Sequence, residues 1–196
     1  MQVLFPIFDP AHGVNTLGKR SPDGKHLEYL WSRDMITRIT ILLGKIGYSW
    51  GVTNTSDNEI GLGKRVKAAN ASPYSNKLLI SLHNNAASSL DEWTTAHGVE
   101  CFIHDNDKES FPIAEECMKM IQLKFPNLKV RKNDNGTLVK TENFTVLMGD
   151  YKAFLLEFGF QDNKDDLAFI DDPHTKDELA QLIVDLIVKL NTNGNS

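Results

Sequence analysis

The chain has 196 residues and a mass of 22.0 kDa, a size that suits a single domain able to fold without a disulfide or a structural metal. Its 21 basic and 26 acidic residues give a formal net charge of −5 without any block of basic residues, which argues against a nucleic-acid or membrane-surface footprint. No apolar run approaches the about 20 residues of a membrane span, and the N-terminus lacks the pattern of a secretory signal.

Strand-length apolar runs alternate along the chain with segments of helical period. In chain order, strands are expected over 3–8, 48–53, 77–82, 99–103 and 153–158, with weaker, shorter ones around Val130 and Val146. Helices are expected over 27–46, from a capping box at 56–59 to 71, over 111–125, and from 172 to 190 with a second capping box at Thr175 and Glu178. The polar segments 86–98 and 132–143 are expected to be exposed loops that border a groove.

The alternation of strands and helices predicts the fold class. The runs KLLISL and AFLLEF are continuously apolar, as expected of strands that are covered on both faces. We therefore expect an α/β fold, with one domain over residues 1–190 built on a mostly parallel, twisted sheet flanked by helices on both faces. Pro6 cannot donate to a sheet ladder, so the first strand is expected to be bent, bulged or partly at an edge. Residues 191–196 are expected to form a frayed polar tail.

The chain contains two cysteines, Cys101 and Cys117, which are far apart in the sequence and do not form a CxxC motif. This spacing favours two buried thiols over a disulfide framework or a thiolate metal site. Both are expected to be reduced.

Polar groups suited to metal chemistry follow or end three of the predicted strands. His12 follows the first strand, His83 closes the strand over 77–82, and Glu157 lies within the last strand; Glu28 opens the long helix. Because loops converge at the carboxyl ends of parallel strands, these residues are candidates for one site. Catalytic zinc commonly takes three His or carboxylate ligands, and a further carboxylate near the water can act as a base.

Each candidate also has a structural interpretation. A lone His in a turn is usually a hydrogen-bonded loop residue, and Glu28 alone could simply face the helix dipole. Glu157 stands among apolar residues, so if buried it needs a charge or a donor as a partner. His26 is an alternative to Glu28, and Asp9 could orient His12, although an Asp before Pro is also an ordinary turn former. The remaining histidines are interpreted as loop or strand-end residues: His97, His104 and His174.

Five motifs occur in a specific order over nearly the whole chain. They are Asp9-Pro-Ala-His12-Gly13, Glu28 at a helix start, Ser81-Leu-His83-Asn-Asn85-Ala86, Gly98-Val-Glu100 and Glu157-Phe-Gly-Phe160-Gln-Asp-Asn163. Each motif is weak alone, but the ordered set resembles the zinc-dependent N-acetylmuramoyl-L-alanine amidases of the autolysin and phage-endolysin type.

This resemblance implies that His12, Glu28 and His83 hold one zinc ion per chain and that Glu157 is the catalytic carboxylate that activates the attacking water. The reaction it implies is hydrolysis of the amide between the lactyl group of N-acetylmuramic acid and L-alanine of the stem peptide, with peptidoglycan or a muropeptide as substrate. The resemblance leaves Glu100 either structural or functional.

Two other functions fit the same residues. Another zinc hydrolase with this ligand set, such as a carboxypeptidase or an N-acyl amino-acid amidohydrolase, would need an arginine to bind a free carboxylate, and no motif singles one out. A catalytically silent peptidoglycan-binding domain would not need both histidines and Glu157 together. In the absence of a visible signal, we expect an endolysin-like chain that stays in the cytoplasm until release and then acts on the cell wall, or a catalytic domain without its leader.

Overall fold

The computed structural model describes residues 3–89, 91–105, 107–133 and 135–193. Its strands are β1 (Phe5–Pro10), β2 (Gly51–Val52), β3 (Lys77–Asn85), β4 (Val99–Ile103), β5 (Lys140–Thr141) and β6 (Lys152–Phe160). Its helices are α1 (Glu28–Lys45), α2 (Leu62–Asn70), α3 (Phe111–Lys124), α4 (Lys164–Asp171) and α5 (Pro173–Asn193). A 3₁₀ turn covers Thr145–Leu147.

The strands form one six-stranded sheet in the order β2-β1-β3-β6-β4-β5. The strands pair in parallel except for β4, which runs antiparallel to β6. The predicted α/β fold with a mostly parallel sheet is therefore confirmed.

Helices cover the two faces of the sheet unequally. One face packs against a large apolar cluster to which α1, α3, α4 and α5 all contribute. The other face has a small cluster in which Leu79 and Leu155 of the sheet meet Ala69 of α2 and Val146 of the 3₁₀ turn. Because side chains alternate along a strand, the residues two and four positions beyond these leucines return to the same face, past the small cluster. That part of the sheet is where the site forms.

Pro6 lies in β1, between β2 and β3 in the strand order, and yet does not break the sheet. The amide of Phe5 donates to Asn76 on the β3 side, so the alternation directs position 6 toward β2. The short β2 opposes only Ile7 and Phe8. Pro6 is therefore at a locally unpaired edge, as the sequence predicts.

Several local expectations are wrong in detail. Helix α2 begins at Leu62 after Gly61, and the predicted capping box at 56–59 is a loop in which Glu59 instead contacts Arg65 of the helix. Val146 lies in the 3₁₀ turn instead of a strand, and the predicted strand over 48–53 shrinks to β2.

The C-terminal part of the chain departs from expectation at two helices. Helix α4 was not predicted, and Asn163 caps it by accepting hydrogen bonds from the amides of Asp165 and Asp166. At the start of α5 the side chain of Asp172 accepts from the amide of Thr175, so the predicted capping box with Thr175 as the cap is wrong although the helix begins where expected.

Helix α5 continues to Asn193, so the first half of the predicted tail is helical and residues 194–196 lie outside the described residues. Among the residues that the structure describes, no helix combines the length and apolar character needed to cross a membrane.

Candidate active site

Three of the predicted residues come together beyond the carboxyl end of β1. His12 follows β1, Glu28 is the first residue of α1, and His83 lies in β3. The Glu28 carboxylate oxygen Oε1 lies 3.3 Å from His12 Nε2 and 2.9 Å from His83 Nδ1. One ligand atom from each residue lies within 4.8 Å of the others, which is the geometry of a group that could hold a metal ion.

Glu28 is only 1% exposed, although it carries a charge. The backbone amide of Asn84 donates to its Oε1 at 3.3 Å, and Gln161 Nε2 lies 3.5 Å from its Oε2. Burial opposes ionisation of this carboxyl, but the hydrogen bonds from His12 and His83 outweigh burial and lower the pKa of Glu28 below its ordinary value. Glu28 is thus held as a carboxylate that faces two imidazoles.

The turn that carries His12 has an unusual backbone. His12 adopts a φ of 47°, in the left-handed region that non-glycine residues rarely occupy. Its carbonyl oxygen accepts from Arg65 Nη2 at 3.0 Å and from Arg33 Nη2 at 3.2 Å. The Ala11 amide donates to Ser32 Oγ at 2.9 Å, and the Ala11 carbonyl accepts from Arg33 Nη1 at 3.1 Å. Side chains of α1 and α2 therefore determine the backbone position of the turn.

Asp9 acts on this turn through an intermediary. Its carboxylate accepts from Arg65 Nη1 at 2.9 Å and from Ser81 Oγ at 2.7 Å, and Thr53 also donates to it. No hydrogen bond joins Asp9 to His12 in the described part of the chain. The expectation that Asp9 orients the His12 side chain is thus replaced by a linkage through Arg65 to the His12 carbonyl.

Glu157 lies on β6 directly opposite His83 of β3. Its Oε2 atom is buried and has no hydrogen-bond partner among the residues that the structure describes. Burial raises the pKa of Glu157 to about 7; the nearby His83 opposes this rise, and the negative charge of Glu28 adds to it. A carboxyl group with a free oxygen and a pKa near neutrality is suited to exchange a proton with a reacting molecule.

Glu100 of β4 lies opposite Glu157 on the other side, so His83, Glu157 and Glu100 form a row across three strands. Two cations contact Glu100: Lys140 Nζ at 2.5 Å and Arg131 Nε at 3.3 Å, both to Oε1. The sequence analysis did not single out either cation. Lys140 lies in the segment 132–143, which was interpreted as a loop, and Arg131 is the residue directly before that segment.

The other histidines lie outside this group. His26, the predicted alternative to Glu28, is buried with its ring nitrogens 2.9 Å from Asp171 Oδ1 and 3.1 Å from Asn84 Oδ1. His97 contacts the carbonyl of Thr95. His26 therefore has partners on both nitrogens, and Glu28 is the carboxylate that joins the two candidate ligand histidines.

The comparisons with known proteins identify one family. Residues 7–189 match the family model described as N-acetylmuramoyl-L-alanine amidase. No curated protein matches the chain.

Several solved structures share the fold over nearly their whole length. The N-acetylmuramoyl-L-alanine amidase from Clostridium difficile 630 is 25% identical with a TM-score of 0.82, and the match covers 96% of this chain and 97% of that one. The catalytic domain of CwlV, an N-acetylmuramoyl-L-alanine amidase from Bacillus (Paenibacillus) polymyxa var. colistinus, is 22% identical with a TM-score of 0.80, covering 96% and 98%. The catalytic domain of the CD27L endolysin targeting Clostridia difficile is 20% identical with a TM-score of 0.69, covering 96% and 98%.

Proposed function

Because the chain belongs to the N-acetylmuramoyl-L-alanine amidase family, we propose that it is a zinc-dependent hydrolase of peptidoglycan. The bond it cleaves is the amide between the lactyl group of N-acetylmuramic acid and L-alanine of the stem peptide. We assign His12, Glu28 and His83 as the ligands of one zinc ion and Glu157 as the catalytic carboxylate. The single observation that carries this proposal is that Glu157, with its free oxygen, lies directly opposite one histidine of the potential ligand group.

The donor set fits zinc. Two imidazoles and one carboxylate are a known ligand set of catalytic zinc sites, which keep a further position open. Glu28 is held ionised by its surroundings, as a ligand must be, and its one negative charge offsets part of the charge of a divalent ion. When bound, zinc polarises the scissile carbonyl and lowers the pKa of water.

Glu157 supplies the proton transfers that amide hydrolysis requires. Its Oε2 accepts a proton from the attacking water, and the same oxygen then delivers a proton to the amine of L-alanine as the amide bond breaks. Because the pKa of Glu157 is raised toward neutrality, this carboxyl group can both accept and release a proton near neutral pH. His83 and Glu157 lie beyond the small apolar cluster on the same face of the sheet, where no residue of that cluster covers them.

The nearest competing function is that of a carboxypeptidase with the same ligand set. It keeps some support because Arg131 lies close to the row, where a free terminal carboxylate could bind. A silent binding domain is disfavoured because such a domain has no need of a carboxyl group with an unpaired buried oxygen.

Mass spectrometry of purified peptidoglycan after digestion tests the proposal. An amidase releases stem peptides with a new amino group on L-alanine and leaves glycan strands with free lactyl carboxyl groups. Loss of terminal amino acids from stems that remain attached to glycan would instead identify a carboxypeptidase. Unchanged peptidoglycan with fully zinc-loaded protein would reject both. We further propose that the chain acts on the cell wall and, in the manner of an endolysin, stays in the cytoplasm until its release.

A further inference from the structure

We propose that Arg131 and Lys140 form a binding subsite for a free carboxylate of the stem peptide, carried by the residue that follows L-alanine. The inference rests on the proposed function and adds a determinant of substrate preference to it. A subsite of this kind discriminates between stem peptides in which that carboxyl group is free and those in which it is amidated.

The charge balance around Glu100 is the first support. Glu100 Oε1 takes both cations, Lys140 Nζ at 2.5 Å and Arg131 Nε at 3.3 Å, while Oε2 accepts from Asn85 at 2.5 Å. One buried carboxylate thus faces two positive charges, so one positive charge is not neutralised by Glu100. An anion that binds here would complete the balance.

The second support is that Arg131 is fixed in place and still has donors to offer. Its guanidinium lies 5.1 Å from the centroid of the Phe160 ring, and its Nη1 makes one long contact of 3.5 Å with the carbonyl of His97. No acceptor for Nη2 occurs among the described residues. The side chain of Arg131 is 32% exposed and that of Lys140 is 24% exposed, so a ligand can reach both. The position of the Arg131 side chain is thus fixed, while N–H donors of its planar guanidinium remain available. These donors match the planar geometry of a carboxylate.

The remaining arginines are committed elsewhere. Arg33 and Arg65 donate to backbone carbonyls of the His12 turn. Arg38 pairs with Asp34 and Asp177, and Arg20 pairs with Asp91 at the surface. Among the arginines that the structure describes, Arg131 is therefore the one that lies beside the row of His83, Glu157 and Glu100 and still has guanidinium N–H groups available for a ligand.

The spacing suits the substrate. Glu100 lies opposite Glu157 on the adjacent strand, and neighbouring strands are about 4.8 Å apart, so the two cations lie roughly 5–10 Å from the catalytic carboxylate. A substrate whose scissile nitrogen belongs to L-alanine places the next residue one to two residue lengths away, at about 3.3–3.6 Å per residue. A carboxylate on that residue can reach the cations while the amide lies at Glu157.

The test uses two synthetic muropeptides that differ only in whether the residue after L-alanine carries a carboxylate or a carboxamide. The zinc-loaded wild-type protein should hydrolyse the carboxylate form with a kcat/KM roughly 10- to 100-fold higher, through a lower KM, because a charge-assisted pair is lost in the amide. Arg131→Gln and Lys140→Gln should each reduce this preference. Lys132→Gln is the matched control, because it removes the same charge from the exposed neighbour of Arg131.

Each outcome decides the inference. Equal hydrolysis of the two muropeptides by the wild-type protein would overturn it and leave the proposed function intact. A preference that survives in both Arg131→Gln and Lys140→Gln would show that the cations only neutralise Glu100. If Lys132→Gln loses the preference to the same extent, the preference comes from general surface charge, and the subsite is also rejected. Hydrolysis of neither muropeptide would reject the proposed function, and the inference with it.

Discussion

Arg65 Nη2 donates to the backbone carbonyl of His12 at 3.0 Å, while Nη1 of the same guanidinium pairs with Asp9 at 2.9 Å. Arg65 and Asp9 are each only 1% exposed. The buried pair thus links α2 to the end of β1 and fixes the left-handed turn from which a candidate metal ligand projects. One side chain, that of Arg65, therefore contacts both the end of β1 and the turn that carries His12.

Replacement of Arg65 by Gln should therefore destabilise the whole domain. The change leaves the Asp9 carboxylate buried without its cation, which typically costs about 3–5 kcal/mol in the free energy of unfolding. Urea unfolding followed by circular dichroism measures this loss. Arg38→Gln is the control, since Arg38 pairs with acids at the surface and its loss should cost less than about 1 kcal/mol. Equal losses in the two variants would contradict the role assigned to the buried pair.

Metal content should depend on the three proposed ligands. Purified protein should contain about one zinc per chain, and His12→Ala or His83→Ala should remove most of it, because two remaining ligands hold zinc poorly. Glu28→Ala should weaken zinc binding as well. Elemental analysis after dialysis measures the content, with the exposed His97→Ala as control. Full zinc in both histidine variants would reject the ligand assignment, and loss in His26→Ala but not in Glu28→Ala would show that the third ligand was misassigned.

Gly13 offers a test of the turn itself. A Cβ atom at this position would lie 2.0 Å from the backbone nitrogen of Glu59 and 2.4 Å from the carbonyl carbon of Asn58, so the two loops would have to separate. Gly13→Ala should therefore weaken zinc binding by shifting His12, and should lower stability by more than about 1 kcal/mol.

The matched control is Gly63→Ala in α2, where a Cβ atom meets nothing within 4 Å. This substitution should stabilise the protein by about 0.4–1 kcal/mol, because alanine restricts the unfolded chain and favours the helix. Thermal unfolding and chelator competition distinguish the two variants. If zinc affinity is unchanged in Gly13→Ala, the close approach of the two loops does not position His12.

The parts of the fold that could be predicted are those with strong local patterns. The continuous apolar runs of β3 and β6 predict central strands, and the helical periodicity of α1 predicts a helix that ends before Gly47. The site followed from chemistry at strand ends: His12, His83 and Glu157 occur where strands of a parallel sheet bring their carboxyl ends together. Glu28 was harder to identify as a site residue from the sequence, because an acidic residue in the first turn is common in helices of any function.

Other features depend on tertiary contacts that no local pattern reveals. The serine and glutamate at 56–59 have the spacing of a capping box, but Glu59 pairs with buried Arg65 and the helix starts later. The short strand β5 is polar and pairs with β4 only over two residues, so periodicity carries no signal for it. Likewise, the sequence shows Arg131 as one arginine among several, and only the contacts of its segment with β4 place it beside Glu100.

The two cysteines should be unreactive in the folded protein. Both are free and buried, and burial raises the pKa of Cys117 to about 12 and that of Cys101 well above its ordinary value. Since the thiolate is the reactive form, a raised pKa keeps both thiols in the unreactive neutral form at pH 8. Alkylation followed by mass spectrometry should label neither thiol in the native state and both after denaturation without reductant. Rapid native labelling would contradict the burial, and no labelling after denaturation would reveal a disulfide.

The last prediction separates catalysis from metal binding at Glu157. If Glu157 is the base and not a ligand, Glu157→Gln should keep its zinc and its fold and lose at least roughly a hundredfold in kcat for muropeptide hydrolysis, the lower end expected when a general base is removed. Glutamine suits the position because burial raises the pKa of Glu157, so the surroundings of this side chain already favour a neutral group. Glutamine has nearly the same volume as glutamate, so this change opens no cavity, whereas alanine would.

Elemental analysis, circular dichroism and steady-state kinetics on the same preparation measure the three properties together. Glu142→Gln is the control, since Glu142 is exposed and the change removes an equal charge outside the site. Near-normal turnover in Glu157→Gln would reject Glu157 as the base. If the variant loses zinc together with activity, Glu157 is a metal ligand, and Glu28, already linked to both histidines by hydrogen bonds, becomes the carboxylate whose role must be reassigned.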